Sequence, residues 1–309
     1  MVVGHDRSYG GLRQGKSRAA WAANRHPSRI LRLLPVPGAI YRYRGYYACP
    51  GVSILSVCYI RPRKDSVADT LIVGISGYVV RPPLARREKP RVSAFTSTNI
   101  DKILALKPDL VLTFCDLQAD IVADLIGRGL DVHALNQRRI AGILDMIRTL
   151  GAMVDATERA RQLVETLETR LAEVRSRGER LPRRPRIFFE EWEDPLISGI
   201  GWVSELVEIA GGIDIFADHR NQGAAKDRVV TVEEVVAREP DLIIGSWCGK
   251  KFRPERVAAR PGFVETPAVR HQDVHEIKSS LILQPGPAAL TDGLAKLQEI
   301  IGQWAEPAG

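Results

Sequence analysis

The stretch Asn99-Ile-Asp-Lys-Ile-Leu-Ala-Leu-Lys-Pro-Asp-Leu-Val-Leu112 returns without a gap 132 residues later as Thr231-Val-Glu-Glu-Val-Val-Ala-Arg-Glu-Pro-Asp-Leu-Ile-Ile244. Ala105/Ala237, Pro108/Pro240, Asp109/Asp241 and Leu110/Leu242 are identical, and the apolar positions match throughout. An acid holds the same place in each copy, Asp101 and Glu233. Each copy reads as a helix, a Pro-Asp joint and a strand, because proline ends a helical run and a β-rich apolar run follows. Such joints are common in α/β proteins, which accounts for the proline. It does not account for the paired acids, and these favour a duplicated unit.

Working outward, Leu71–Ser76 (LIVGIS), Asp109–Phe114 and Asp131–Leu135 are short apolar runs that predict buried parallel strands. Helical patterns fall between them at 99–107, 117–128 and 140–153. A second alternating region predicts a strand at Arg186–Glu190, a helix at Val203–Ala210 closed by Gly211-Gly212, and a helix at 231–238. Strands at Asp241–Ser246 and Val274–Lys278 and a last helix near 288–304 complete it. Between the regions, Thr157–Arg180 carries Leu163, Leu167, Leu171 and Val174 on one stripe. About 24 helical residues would span roughly 36 Å, the width of a small domain. The chain therefore divides into an atypical basic segment (1–68), an N-terminal α/β lobe (69–156), a linking helix (157–181) and a C-terminal α/β lobe (182–305).

Composition removes several classes. The 309 residues are 45% apolar and 26% charged, a globular balance. No run approaches the ~20 apolar residues of a membrane-spanning helix. Cys49, Cys58, Cys115 and Cys248 are too few for a disulfide scaffold and lack the CxxC spacing of structural zinc. The net charge of +7 is local: residues 1–70 hold 12 Lys and Arg against Asp6, Asp65 and Asp69, and six of the seven tyrosines. The main body is slightly acidic, so nucleic acid is not an expected partner. In the basic segment, Ile30–Leu34 is too short for a signal-peptide core and prolines follow it. Leu55-Ser-Val-Cys58 only faintly matches a lipoprotein site. As written, the segment reads as a disordered tail or an out-of-frame stretch, and the chain would stay in the cytoplasm.

Ligands of open α/β sheets bind beyond the carboxyl ends of the strands. Those ends carry Tyr78, Cys115-Asp116, Glu191-Trp192-Glu193-Asp194-Pro195, Trp202, Trp247-Cys248-Gly249-Lys250-Lys251-Phe252-Arg253 and Gln284. Three of the five tryptophans (192, 202 and 247) gather there, where an aromatic ring has to face another loop or a ligand. The basic run Lys250, Lys251, Arg253 and Arg256 is either a solvated face or an anion holder. Glu190 and Glu191 are candidates for a general base, a metal ligand or a rim carboxylate. No histidine neighbours them in sequence, so no metal site is assigned. Cys248 beside lysines is a nucleophile candidate, although no nucleophile-elbow motif or phosphate-cradling loop accompanies it. No catalytic residue is assigned.

Val73-Gly-Ile-Ser-Gly-Tyr78, Asn99–Val111, Leu206–Gly212 (LVEIAGG), Thr231–Gly245 and Pro285-Gly-Pro-Ala-Ala-Leu290 together resemble the substrate-binding proteins of ABC importers for metal chelates. That family handles ferric siderophores and cobalamin, and the likeness covers roughly 69–305. It implies two Rossmann-like α/β lobes joined by one long rigid helix, the helical-backbone periplasmic-binding-protein fold. It implies a non-enzymatic monomer that needs no cofactor and takes a corrinoid, or next a ferric siderophore, in the cleft. The expected ligand set is Tyr78, Glu191, Trp192, Trp202, Trp247, Lys250, Arg253 and Gln284. Asp101 and Glu233 match the acids with which the family docks on the importer's membrane subunits. The likeness also implies a periplasmic or cell-surface location. Two departures stand out. The family's opening strand has only a distant counterpart in Arg29–Pro35, and Gln284 stands near a position where many siderophore binders carry arginine. The rival reading is an intracellular metallocofactor chaperone or Cys-dependent enzyme using Cys248 with Glu190 or Glu191.

Overall fold

The computed structural model describes residues 58–60, 71–81 and 83–306. Apart from 58–60, the basic segment lies outside the described residues. The first lobe runs β1 (Cys58–Ile60), β2 (Ile75–Ser76), α1 (Pro83–Glu88), β3 (Arg91–Ser93), α2 (Ile100–Ala105), β4 (Leu110–Phe114), α3 (Ala119–Gly127), β5 (Val132–Leu135) and α4 (Ile140–Met153). Helix α5 (Thr157–Gly178) then leads to the second lobe. This comprises β6 (Arg186–Glu193), β7 (Leu196–Ser198), α6 (Gly201–Ile209), β8 (Ile213–Asp214), α7 (Val232–Ala237), β9 (Leu242–Gly245), α8 (Pro254–Ala258), α9 (Pro267–Arg270), β10 (Val274–Glu276), α10 (Ser279–Ile282) and α11 (Leu294–Ala305).

The repeat extends into backbone detail. Asn99 caps α2 by accepting from Lys102 N at 2.9 Å, and Thr231 caps α7 by accepting from Glu234 N at 3.1 Å. Glu234 completes a capping box by accepting from Thr231 N. At the other end of the two helices, Lys107 (φ 47°) and Glu239 (φ 42°) both adopt the left-handed conformation immediately before Pro108 and Pro240. The same bend therefore aims β4 and β9 in their lobes.

Strands β4 and β9 are each flanked by a neighbour on both sides in their sheets. The first sheet is ordered β1-β4-β5, with β4 and β5 parallel and β1 antiparallel. The second is ordered β10-β9-β6-β7, with β8 also pairing β6. Two sequence readings change here. The strand expected over Leu71–Ser76 is reduced to Ile75–Ser76, which pairs with β3 apart from the main sheet. The strand expected to stop at Glu190 continues to Glu193 and turns back through Asp194-Pro195 as a hairpin onto β7. Glu191 and Trp192 therefore sit on a strand, not in a loop.

Helix α5 buries Ala160, Val164, Leu167, Leu171 and Val174, a stripe at 3- and 4-residue intervals, while Leu163 is only half-buried. It packs between α4 of the first lobe and α6 of the second. One continuous apolar cluster includes Leu112 and Ile147 of the first lobe, the α5 stripe, and Val207, Ile244 and Ile301 of the second. The linking helix is thus embedded in a core that both lobes share.

Candidate ligand-binding cleft

Between the lobes lies a cavity of about 420 Å³, within the ~300–1,000 Å³ usual for small-molecule sites. The first lobe lines it with Tyr78, Phe95, Thr96, Phe114, Cys115, Asp116, Leu117 and Arg138. The second contributes Glu191, Trp192, Ile197, Ile200, Trp202, Gly223, Ala225, Arg228, Cys248 and Leu283. Most of these residues stand at or just beyond the ends of β2, β3, β4, β6 and β9, where the topology predicts a ligand.

Local hydrogen bonds fix the first wall. Buried Gln118 accepts from Phe114 N at 2.7 Å and donates to Phe95 O at 2.8 Å, tying the end of β4 to the loop after β3. Arg138 donates to Asp116 Oδ1 at 2.8 Å and reaches across to Gly223 O at 2.5 Å. The other lip is equally close: a Cβ on Gly249 would stand 3.5 Å from Tyr78 Cε1. Behind the cavity, Arg139 donates to Glu205 (2.7 Å) and Asn221 (2.7 Å), and Glu205 accepts from Ile140 N at 2.7 Å. Gly201 admits this seam, since a Cβ there would lie 2.5 Å from Arg138 O and 2.6 Å from Arg220 O.

In the second wall, Glu191 is held by Arg228 through two bonds, at 2.7 and 3.0 Å, and its Oε2 also accepts from Ile200 N at 3.0 Å. The Arg228 side chain is only 1% exposed and also donates to Ser198 O. Trp202 is buried, with its indole N–H donating to Ile282 O at 2.9 Å. Trp192 is half-buried and anchored to Asp194 O at 3.0 Å. The charged side chains lining the cavity are thus Arg138 with Asp116 and Arg228 with Glu191, one ion pair from each lobe. Their charges cancel.

Of the expected ligand set, the structure brings Tyr78, Glu191, Trp192 and Trp202 to the cavity. The other four lie elsewhere. Trp247 is 3% exposed, packs edge-on against Phe252 at 4.9 Å, and donates to Glu190 Oε1 at 2.9 Å. It lies two residues beyond β9 and packs into a separate hydrophobic interior with Ile243 and Phe252, not into the cluster that Ile244 joins. Glu190 is fully buried between Trp247 and Arg260, which removes it as a general base. Lys250 pairs with Glu193 and lies 5.7 Å from both the Trp192 and Trp247 rings, in a separate hollow. Arg253 is exposed at the start of α8. Gln284 is buried, and its Oε1 has no hydrogen-bond partner among the described residues.

The lysines beside Cys248 in sequence do not lower its pKa. Burial first, and then the Glu191 charge, push the thiol upward. Burial likewise raises Cys115. Neutral thiols do not favour the Cys-dependent enzyme reading. Asp101 and Glu233 are both exposed in the first turns of α2 and α7, with Arg128 at 3.8 Å from Asp101. The sequence reading missed Phe95, Phe114, Arg138 and Arg228. Phe114 and Cys115 end a recognised strand and were within reach. Arg228 ends a single 3-10 turn, Ala225–Arg228, too short to leave a periodic pattern in the sequence.

These features, two α/β lobes about a long helix with a ligand-sized hollow at their strand ends, define a binding protein. The periplasmic binding protein family profile matches residues 66–281, and the chain belongs to that family. Its members here are substrate-binding proteins of ABC importers, a non-enzymatic class. The chain is 32% identical to the vitamin B12-binding protein of Salmonella typhi over 203 residues, 64% of this chain and 73% of that one. The crystal structure of the periplasmic vitamin B12 binding protein BtuF of Vibrio cholerae superposes with a TM-score of 0.61 at 23% identity, covering 77% and 91% of the two chains. The periplasmic heme-binding protein RhuT from Roseiflexus sp. RS-1 gives 0.65 at 21% identity, covering 77% and 92%.

Proposed function

We propose that this chain captures a metal chelate in its inter-lobe cavity and delivers it to an importer, with a corrinoid as the favoured cargo. The carrying observation is the character of the cavity: aromatic and aliphatic walls with both ion pairs closed on themselves. Such a site suits a large, flat, partly apolar chelate. A ferric catecholate, which carries several negative charges, would need uncompensated cations. Lys250, the nearest of the basic run, is already engaged by Glu193. The partly exposed Tyr78 and Leu117 extend the apolar wall to the edge of the cavity. The vitamin B12-binding relatives support the same choice.

Docking is assigned to Asp101 and Glu233, equivalent acids on equivalent helices. Two charge-assisted contacts on one body give an oriented, bivalent complex where a single contact would be weak. This role places the protein at the outer face of its importer's membrane.

Spectroscopic titration of the full chain with cyanocobalamin, hemin and ferric catecholate and hydroxamate chelates tests the cargo. Binding of cyanocobalamin at micromolar concentration or tighter is expected, weakened at least tenfold by Trp192→Ala. Failure of all four ligands overturns the assignment. Reversing Asp101 and Glu233 together to lysine is expected to spare ligand affinity and abolish stimulation of the importer, and full stimulation would remove the docking role.

A further inference from the structure

The internal hydrogen bonds of the cavity leave few polar groups for a cargo. The indole N–H of Trp202 goes to Ile282 O, and that of Trp192 to Asp194 O. Arg228 is spent on Glu191 and Ser198 O, and its Nε is buried. Glu191 in turn has both oxygens occupied.

Asp116 and Arg138 differ. Both line the cavity from beyond strand ends of the first lobe, Asp116 two residues after β4 and Arg138 three after β5. Their side chains are 49% and 17% exposed, against 1% for Arg228. A guanidinium carries five N–H donors. Arg138 places three of them, from Nε to Gly223 O, from Nη1 to Gln137 O at 3.1 Å and from Nη2 to Asp116 Oδ1. One N–H remains on each terminal nitrogen. Asp116 holds the arginine through Oδ1 alone, and its Oδ2 has no hydrogen-bond partner among the described residues.

The pair is therefore balanced in charge yet unfinished in hydrogen bonds. Nη2 keeps a donor and Oδ2 an acceptor, on two groups already joined at 2.8 Å. A primary carboxamide is the complement of such a pair, since its oxygen accepts and its NH2 donates. A carboxylate is not. It could take the arginine N–H groups, but it would bring a second anion against Asp116. The turn that carries Asp116 is pinned, because fully buried Gln118 within it is bonded to Phe114 N and Phe95 O.

We propose that Asp116 and Arg138 form a carboxamide-recognition subsite, which reads the polar periphery of the chelate while the aromatic walls hold its ring. This deepens the metal-chelate reading above and rests on it. The cargo narrows to chelates fringed with neutral amides, and chelates fringed with carboxylates are disfavoured.

The test uses cyanocobalamin and its b-, d- and e-monocarboxylic acids, in each of which one propionamide arm has become a propionate. Each is titrated spectroscopically into the full chain as wild type, Asp116→Asn and Arg138→Ala. At least one monoacid is expected to bind wild type at least tenfold more weakly than cyanocobalamin. Asp116→Asn is expected to erase that deficit, because the repelling charge is gone. Arg138→Ala is expected to weaken cyanocobalamin at least fivefold. A pair that only clasped the wall together would lower every affinity by one factor and leave the ratios alone. Equal binding of all four corrinoids by wild type, unchanged ratios in Asp116→Asn, or full affinity in Arg138→Ala overturns the subsite while leaving the chelate reading intact. If wild type binds no corrinoid, or prefers the dicarboxylate hemin, the corrinoid reading falls and the subsite with it. Should Arg138→Ala fail to fold, Asp116→Asn decides alone, since asparagine keeps an acceptor for Arg138.

Discussion

Ile140 N donates to Glu205 Oε2 at 2.7 Å, so the longest helix of the first lobe is capped by a carboxylate from the second. The residue at the cap position itself, Arg139, makes no side-chain cap and instead donates to the other oxygen of Glu205. Two helices that are distant in sequence are joined at the point where an exposed helix end would otherwise need water. Replacing Glu205 by Ala is expected to lower stability by about 1–2 kcal/mol, the usual cost of a lost cap. Glu205→Gln, which keeps an acceptor, is expected to recover part of it in denaturant unfolding.

The Glu191–Arg228 pair carries a larger penalty. Removing one partner leaves a buried charge alone, so Glu191→Ala is expected to destabilise by about 3 kcal/mol. Combining Glu191→Leu with Arg228→Met is expected to restore most of that loss, because no unpaired ion remains. Equilibrium unfolding of the singles and the double checks both statements.

Asp214 gives a pH-dependent prediction. Burial raises its pKa, against hydrogen bonds from Ser204 and Phe216 N that favour the charged form. A raised folded pKa means that the fold favours the protonated acid. The stability this contributes is present below the unfolded pKa and is lost as pH rises through the folded one. Asp214→Asn keeps an acceptor for Phe216 N without the charge. It is expected to be more thermostable than wild type at neutral pH, with the difference shrinking in acid as the wild-type carboxyl becomes neutral.

Cys115 and Cys248 are both pushed upward by burial. In the ligand-free protein, their alkylation by iodoacetamide is expected to be slower at pH 7 than that of a free cysteine. It should rise steeply only above the ordinary thiol range near pH 8.5. A fast reaction at neutral pH would contradict this.

How much of this was legible before the structure depends on the scale of the signal. Helix α4 and the long helix stood out because their patterns run over many turns, and the repeat announced paired lobes through Pro108/Pro240 and Asp101/Glu233. Strand ends were harder. Nothing local in Glu190-Glu191-Trp192-Glu193 says whether the chain leaves the sheet or doubles back, and the hairpin to β7 decided which residues face the cavity. Trp247 was misread because proximity to a strand end does not reveal which face a side chain takes. The pairing of Glu191 with Arg228 joins residues 37 apart through a turn, and no periodicity encodes such a contact.

The continuous core around α5 means that the peptide link between the lobes is not what keeps them together. A chain nicked between Gly178 and Arg186 would still present both halves as one particle, joined by interdigitated side chains and by the α4–Glu205 clasp. Severed fragments of this protein would be expected to find each other and re-form the hollow, as two pieces of one molecule and not as independent modules.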